Sequence, residues 1–194
     1  MNWRDEFDET EALLSGHFRL SSGLHSDRYL QCALILQWPD RAARIGEALA
    51  ALLGSFAPSA VVAPALGGVI VGHETARALG VRAVFTERKD GVMQLRRGFR
   101  FAKGEPVVVV EDVFTTGKST RETIGAVEAQ GARVVAAGSI VDRGLSPDAL
   151  HVPWRSLLAI DAPAWPENAC PLCAEGFPIE APGSRPAPRR APDA

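Results

Sequence analysis

Two acids side by side at the end of a run of valines are the residues that most need a chemical reason. The stretch runs Val107-Val108-Val109-Val110-Glu111-Asp112-Val113-Phe114-Thr115-Thr116-Gly117-Lys118-Ser119-Thr120. The valines read as a buried strand, in which neighbouring side chains point to opposite faces. Two ionised carboxylates at its open end repel one another and gain nothing structurally, so they make sense as receivers of hydroxyl groups or a divalent ion. Small hydroxyl residues and a glycine follow and enter a helix, whose first backbone N–H groups form a cup for phosphate. Carboxylates for two sugar hydroxyls, with a phosphate cup one turn away, describe a ribose 5-phosphate. Gly117-Lys118-Ser119 imitates the end of the nucleoside triphosphatase loop, but that motif needs a glycine where Asp112 stands, which excludes it.

The elements that must hold this loop are short and alternate in kind. Ala60 to Ala63 predicts a buried strand ending at Pro64, and Gly67-Gly68 leads into a helix through Leu79. Val81 to Phe85 predicts a second strand and the valine run a third, followed by a helix from about Ser119 to Gln130. Arg133 to Val141 and Ser156 to Ile160 supply a fourth and a fifth. Short apolar runs alternating with helices predict an α/β fold with a parallel sheet flanked by helices. Ligands of such sheets sit beyond the carboxyl ends of the strands, here Pro64–Gly68, Glu111–Ser119 and Asp142–Gly144. Upstream, Trp3 to Leu14 predicts one amphipathic helix closed near Gly16. His17 to Ile35 predicts two strands around Ser21-Ser22-Gly23, and Pro39 opens a helix over Arg41 to Phe56. Residues 181–194 contain no large aliphatic side chain and predict a disordered tail.

With 194 residues, 46% of them hydrophobic, the chain has material for a core in one domain, or in one domain with a small appendage. A net charge of −2 excludes a nucleic-acid binder that works by global attraction. The charge is uneven: Arg82, Arg88, Lys89, Arg96, Arg97, Arg100 and Lys103 face only Glu87 and Asp90 in their segment, a patch suited to a small polyanion. The first residues lack the pattern of a secretory signal, and no apolar run reaches membrane-spanning length. Three cysteines make no disulfide framework, so a reducing, cytoplasmic setting is expected, with no membrane partner.

The acid–hydroxyl stretch resembles the phosphoribosyl-diphosphate motif of the type I phosphoribosyltransferases. Four further segments resemble the orotate-using branch: Leu20-Ser21-Ser22-Gly23-Leu24-His25-Ser26, Pro64-Ala65-Leu66-Gly67-Gly68-Val69, Glu87-Arg88-Lys89-Asp90-Gly91 and Asp142-Arg143. The resemblance implies a hood made by residues 1–38 and completed by 163–180, over a core of residues 39–162. It assigns Glu111 and Asp112 to the ribose hydroxyls of phosphoribosyl diphosphate, and Thr115, Thr116, Gly117, Lys118 and Ser119 to its 5-phosphate, with Val113 and Phe114 in the same motif. Ala65, Leu66, Gly67 and Gly68 would form the diphosphate loop, and Arg88, Lys89, Arg96 and Arg97 belong to a mobile loop. Orotate would meet Thr115, Arg143, Ser22, Gly23 and Tyr29, the arginine pairing with its carboxylate. Mg²⁺ would arrive on the donor, with no ligand set of side chains alone and with Asp112 reaching it through water. The loop's reach into a neighbouring subunit implies a homodimer.

The sequence departs from the family at three places. Members often carry a lysine at the position of Ser21, another at Gly67, and a lysine followed by histidine in the mobile loop, which here reads Met93-Gln94-Leu95-Arg96-Arg97-Gly98. Arg96 or Arg97 is expected to supply the missing charge. Two other readings rank lower. A transferase for a neutral base would have no use for Arg143 as a carboxylate partner. A donor-sensing regulator of transcription or RNA would show an extended basic face, whereas the basic residues here cluster in one loop. Cys170-Pro171-Leu172-Cys173 is one C-x-x-C without a second, and Cys32 is distant, so inert thiols are expected over half of a shared zinc site. The histidines His17, His25, His73 and His151 show no ligand spacing and are expected to have no metal role.

Overall fold

Apolar runs too short for helices become the strands of one six-stranded sheet in the computed structural model, which describes residues 2–20 and 22–182. The chain begins with α1 (Trp3–Glu9), the hairpin strands β1 (Leu13–Arg19) and β2 (His25–Leu30), then α2 (Cys32–Leu36) and α3 (Pro39–Leu53). The core continues as β3 (Ala60–Pro64), α4 (Gly67–Leu79), β4 (Arg82–Lys89), β5 (Val92–Leu95), β6 (Pro106–Phe114), α5 (Lys118–Glu128), β7 (Arg133–Asp142) and β8 (Trp154–Ala159). A short α6 (Pro171–Ala174) lies near the end. The strand order is β5-β4-β3-β6-β7-β8, parallel throughout except for β5, which runs against β4.

Alternation along the central strands divides the core between two faces. Val61, Val108 and Val110 pack with Ile45, Leu49 and Val71 from α3 and α4, while Val62, Val107 and Val109 pack with Ile124 and Val127 of α5. All these residues are fully buried, as a parallel sheet covered on both faces requires. Gly46 lets α3 close on α4: a Cβ there would fall 2.7 Å from the Glu74 carbonyl oxygen.

The direction of chain growth reverses between β3 and β6. From β3 the chain crosses through α4 to β4 on one side, and from β6 through α5 to β7 on the other. The gap opened at that reversal, at the carboxyl ends of the strands, is where a sheet of this kind receives a ligand.

Three local expectations are corrected. The first helix ends at Glu9 rather than near Gly16, because Glu11 takes a left-handed turn (φ 54°) and Ala12 and Leu13 enter the core at the start of β1. The second hairpin strand stops at Leu30, and Cys32–Leu36 is helical with Ile35 and Leu36 buried. Finally, β4 extends to Lys89 and turns back as β5 through Asp90 (φ 52°) and Gly91 (φ 80°), a two-residue turn whose left-handed pair matches strand twist.

The hairpin β1–β2 sits apart from the large sheet, and the C-terminal segment holds both of its edges. His25 and Trp165 exchange backbone hydrogen bonds at 2.8 Å each; on the other edge Arg19 N donates to Glu180 O and Glu180 N to His17 O, also at 2.8 Å. Ser21 and residues 183–194, most of the expected tail, lie outside the described residues.

Candidate active site at the strand ends

Strand β6 carries the acid pair to the reversal point. Glu111 is 8% exposed, and the hydroxyl of buried Thr120 donates to its Oε2 at 2.5 Å. Burial pushes the Glu111 carboxyl up to about 7, and the neighbouring Asp112 adds to the rise, while Thr120, Ser119 and Arg88 oppose it. Burial also raises Asp112, whose Oδ1 accepts from Val113 N at 3.0 Å. Two carboxyls held out of water and against their ionised forms suit partners that bring hydroxyls or positive charge.

The loop after β6 leaves a helix N-terminus open. Gly117 at the N-cap has φ 70° and offers no side-chain acceptor to the first turn of α5. A Cβ there would also come within 2.9 Å of Leu145, so glycine is needed for both reasons. Thr115, Thr116 and Lys118 are exposed, and Lys118 N makes a long 3.4 Å bond to Thr116 Oγ1. Arg121 pins the loop from below, donating to Thr116 O at 2.9 Å and Ala149 O at 3.1 Å. Such a terminus presents unshared N–H groups to an anion.

Across the reversal, Pro64–Gly68 faces the acids. Ala65 N donates to Thr86 O at 2.7 Å, the Ala65–Leu66 peptide is cis, and Leu66 is 87% exposed. Gly67 lies so close to Asp112 that a Cβ would fall 2.8 Å from its carboxyl carbon. On the other side, Arg143 N donates to Phe114 O at 2.9 Å, which places this arginine beside the end of β6. Its guanidinium donates from Nη2 to Ala162 O at 3.3 Å, while its buried Nε has no partner among the described residues. Burial pulls Arg143 below its ordinary value, and the Asp27 charge opposes that. A half-buried guanidinium with an unused donor is built to receive an anion.

The phosphoribosyl transferase domain model matches residues 33–173. The orotate phosphoribosyltransferase of Heliobacterium modesticaldum is 51% identical over 183 residues, 93% of this chain and 96% of that relative. The orotate phosphoribosyltransferase of Pelotomaculum thermopropionicum is 50% identical over 186 residues, 94% of this chain and 98% of its own length. The chain belongs to the orotate phosphoribosyltransferase family. Among solved structures, the orotate phosphoribosyltransferase from Aeropyrum pernix matches with a TM-score of 0.70 at 26% identity, over 82% of this chain and 94% of that one.

Within the orotate phosphoribosyltransferase fold, the residues singled out from the sequence fall into three groups. Glu111 to Ser119, Ala65 to Gly68 and Arg143 converge on the strand ends. Ser22 and Gly23 lie at the exposed tip of the β1–β2 hairpin, where Gly23 N donates to Leu20 O and Leu24 N to Ser22 Oγ; Tyr29 packs on Phe18 within the same hairpin, its ring centroid 5.7 Å away. The basic residues lie on the β4–β5 hairpin and just after it. Arg88 pairs with Glu122, Arg97 forks onto Glu87 at 2.8 and 3.0 Å, and Arg96 reaches the same carboxylate at 3.2 Å, while Lys89 is exposed. In this conformation Arg96 and Arg97 are therefore engaged with Glu87.

Sequence reasoning missed Thr120 and Asp27. Thr120 ends the hydroxyl run and is legible in hindsight; Asp27 carries no local signal. It also set the histidines aside, yet the fold brings two of them, His17 and His25, to the cysteine pair. His17, His25, Cys170 and Cys173 place their ligand atoms within 4.8 Å of one another. In the hairpin register His25 stands opposite Arg19, two residues along β1 from His17, which makes the two histidines diagonal neighbours across the strands. Cys32 is buried in the core and takes no part.

Proposed function

We propose that this chain transfers the 5-phosphoribosyl group of phosphoribosyl diphosphate to orotate, giving orotidine 5'-monophosphate and diphosphate, a step of pyrimidine nucleotide synthesis. The observation that carries the reading is the meeting, at one sheet reversal, of a buried acid pair, an open helix N-terminus and a buried arginine with an unused donor. Glu111 and Asp112 receive the ribose hydroxyls, and the Thr115–Ser119 turn receives the 5-phosphate. The Ala65–Gly68 loop holds the diphosphate through backbone groups, which the missing side chain at Gly67 leaves close to Asp112. Arg143 pairs with the orotate carboxylate, with Thr115, Ser22, Gly23 and Tyr29 around the ring.

Little covalent help is needed from the protein. As diphosphate leaves, the anomeric carbon becomes positive and the orotate ring nitrogen attacks it from the opposite face, its proton passing to the departing diphosphate or to water, so that no dedicated side-chain base is required. The oxygen donors at the site suit Mg²⁺, which would be carried by the donor with Asp112 reaching it through water, and which supplies charge stabilisation to the departing diphosphate. Arg88, Lys89, Arg96 and Arg97 form the cationic side of the closing loop, which keeps water from the donor. The same reading takes residues 1–38 and 163–180 as a hood over the 39–162 core, and the working form as a homodimer in the cytoplasm. Among the described residues, no helix is long and apolar enough to cross a membrane.

The deciding experiment follows the loss of orotate ultraviolet absorbance on mixing the protein with phosphoribosyl diphosphate and Mg²⁺, with uracil and adenine as parallel acceptors. Depletion of orotate alone is expected. Turnover of adenine or uracil instead would overturn the acceptor assignment, and tight donor binding with no turnover would favour a regulator.

A further inference from the structure

Two histidines of the β1–β2 hairpin and two cysteines of the C-terminal segment meet at one point. His17 Nε2 lies 3.1 Å from His25 Nδ1, 3.5 Å from Cys170 Sγ and 3.6 Å from Cys173 Sγ, and Cys173 Sγ lies 3.2 Å from His25 Nδ1. His17, His25 and Cys170 are buried, and Cys173 closes the group at the surface.

Hydrogen bonding alone does not account for this convergence. His17 Nδ1 stands 2.9 Å from the Phe177 carbonyl, which can only accept, so Nδ1 carries the proton and donates it there. That leaves Nε2 with one lone pair and no hydrogen. Three groups approach that lone pair, and one lone pair cannot serve three donors. A cation at the common centre resolves the conflict, because it takes one lone pair from each of the four atoms. The Phe177 carbonyl then plays the part of an outer partner that fixes a ligating imidazole in its tautomer.

The spacing fits one particular ion. A tetrahedral zinc with ordinary Zn–N and Zn–S lengths separates its ligand atoms by about 3.3 Å for N···N, about 3.6 Å for N···S and about 3.8 Å for S···S. The N···N separation and the three N···S separations given above fall within about 0.4 Å of these, and all four ligand atoms lie within 4.8 Å of one another. Two thiolates, two neutral imidazoles and a divalent ion sum to zero charge, which suits a largely buried place. Sulfur–nitrogen ligation favours zinc over magnesium or calcium. All four positions are filled by protein, which describes a closed structural centre rather than a catalytic one with an open position.

We propose that His17, His25, Cys170 and Cys173 bind one structural Zn²⁺ that clamps the hood hairpin to the C-terminal segment. The backbone already aligns the two parts, since Trp165 and Glu180 hold opposite edges of the hairpin on either side of the cysteine turn. The ion ties together segments about 150 residues apart in sequence, where a hairpin of two short strands has little core of its own.

The test uses the full chain, purified without chelator under reducing conditions. Elemental analysis is expected to find about one zinc per chain. The apo protein titrated with Co²⁺ should give the intense visible bands of tetrahedral cobalt together with a thiolate charge-transfer band. Cys170→Ser combined with Cys173→Ser should remove that band and the zinc, while Cys32→Ala should keep both. Stripping zinc from the wild-type chain should lower Tm by about 5 °C or more, and restoring it should reverse the loss. The cobalt spectrum of the wild-type protein decides the matter even if the double variant folds poorly. A weak octahedral spectrum, or wild-type zinc no higher than in the double variant, overturns the site. A Tm unmoved when bound zinc is removed overturns the clamp.

Discussion

Thr120, in the first turn of α5, donates its buried hydroxyl to the Glu111 carboxylate at 2.5 Å and so joins the helix of the phosphate cup to the strand that carries the acids. The pair sets the charge state of the site. Burial drives Glu111 up to about 7, and the Thr120 hydroxyl, by favouring the ionised form, keeps it from rising further.

The first consequence concerns stability. The folded chain keeps a proton on Glu111 that the unfolded chain gives up at an ordinary value of 4.5, so the native state binds more protons between 4.5 and about 7. Stability from this group is complete below that window and is lost as pH rises through about 7. A shift of this size corresponds to about 3 kcal/mol at most. Urea unfolding at about pH 5 and about pH 8 should show the wild-type chain losing more stability than Glu111→Gln. Equal losses in the two proteins would show that Glu111 titrates in its ordinary range.

Donor binding should depend on the same proton with the opposite sign. Ribose hydroxyls donate to the ionised carboxylate, so donor affinity should rise with pH through about 7. Thr120→Val removes the donor hydroxyl while keeping the shape, and should move that midpoint upward. Calorimetric titration with phosphoribosyl diphosphate across pH measures it. A midpoint that stays in place would detach Thr120 from the charge of Glu111.

Arg143 and Asp27 give a third prediction, because each has a buried atom with no hydrogen-bond partner among the described residues, Nε of the arginine and Oδ1 of the aspartate. An acceptor carboxylate would satisfy the guanidinium. Arg143→Ala should lower kcat/KM for orotate by about 100-fold, and Arg143→Lys by about 10-fold, since lysine keeps the charge and loses the fork. The KM for the donor should change by no more than about threefold in either. Initial rates with each substrate varied in turn provide the check, and a loss confined to the donor would move Arg143 out of the orotate site.

The core of this arrangement was legible in the sequence because its signals are local. The valine run, the acid pair and the Thr-Thr-Gly entry into α5 lie within fourteen consecutive residues, from Val107 to Thr120, and each constrains the next. What escaped was decided elsewhere in the chain. Strand β5 has only four residues, too few for a reliable period, and exists because Asp90 and Gly91 turn it onto β4. The charge of Asp27 reaches Arg143 only because the fold brings β2 near the end of β7, much further along the chain. His17 finds Cys170 only because the C-terminal segment returns to pair with both edges of the hairpin.

Gly67 tests how tightly the two loops are fitted. Its position leaves no room for a Cβ beside the Asp112 carboxyl, so Gly67→Ala must turn that carboxyl away from Val113 N or push the loop outward. Donor affinity should fall about tenfold, the equivalent of about 1.4 kcal/mol. Because the loop is at the surface, Tm should move little. Titration of the donor alongside thermal unfolding separates the two effects, and unchanged affinity would mean that Asp112 can rotate at no loss.

The last prediction concerns Arg96 and Arg97, the arginines expected to supply the charge of the closing loop. Arg97 and Arg96 both bind Glu87, and Arg97 draws that carboxyl below its ordinary value. The guanidinium of Arg97 is largely exposed, and water and salt screen such a pair, so moving to a bound diphosphate is not opposed by much. If these side chains neutralise the leaving group, replacing both by alanine should depress kcat at least about tenfold while the donor KM stays within about threefold. Glu87→Gln frees both arginines without removing them, and should leave kcat undiminished. The two variants together discriminate: a fall in both would show that the hairpin needs the ion pair for its shape, and no fall in the double alanine variant would remove the arginines from the chemistry.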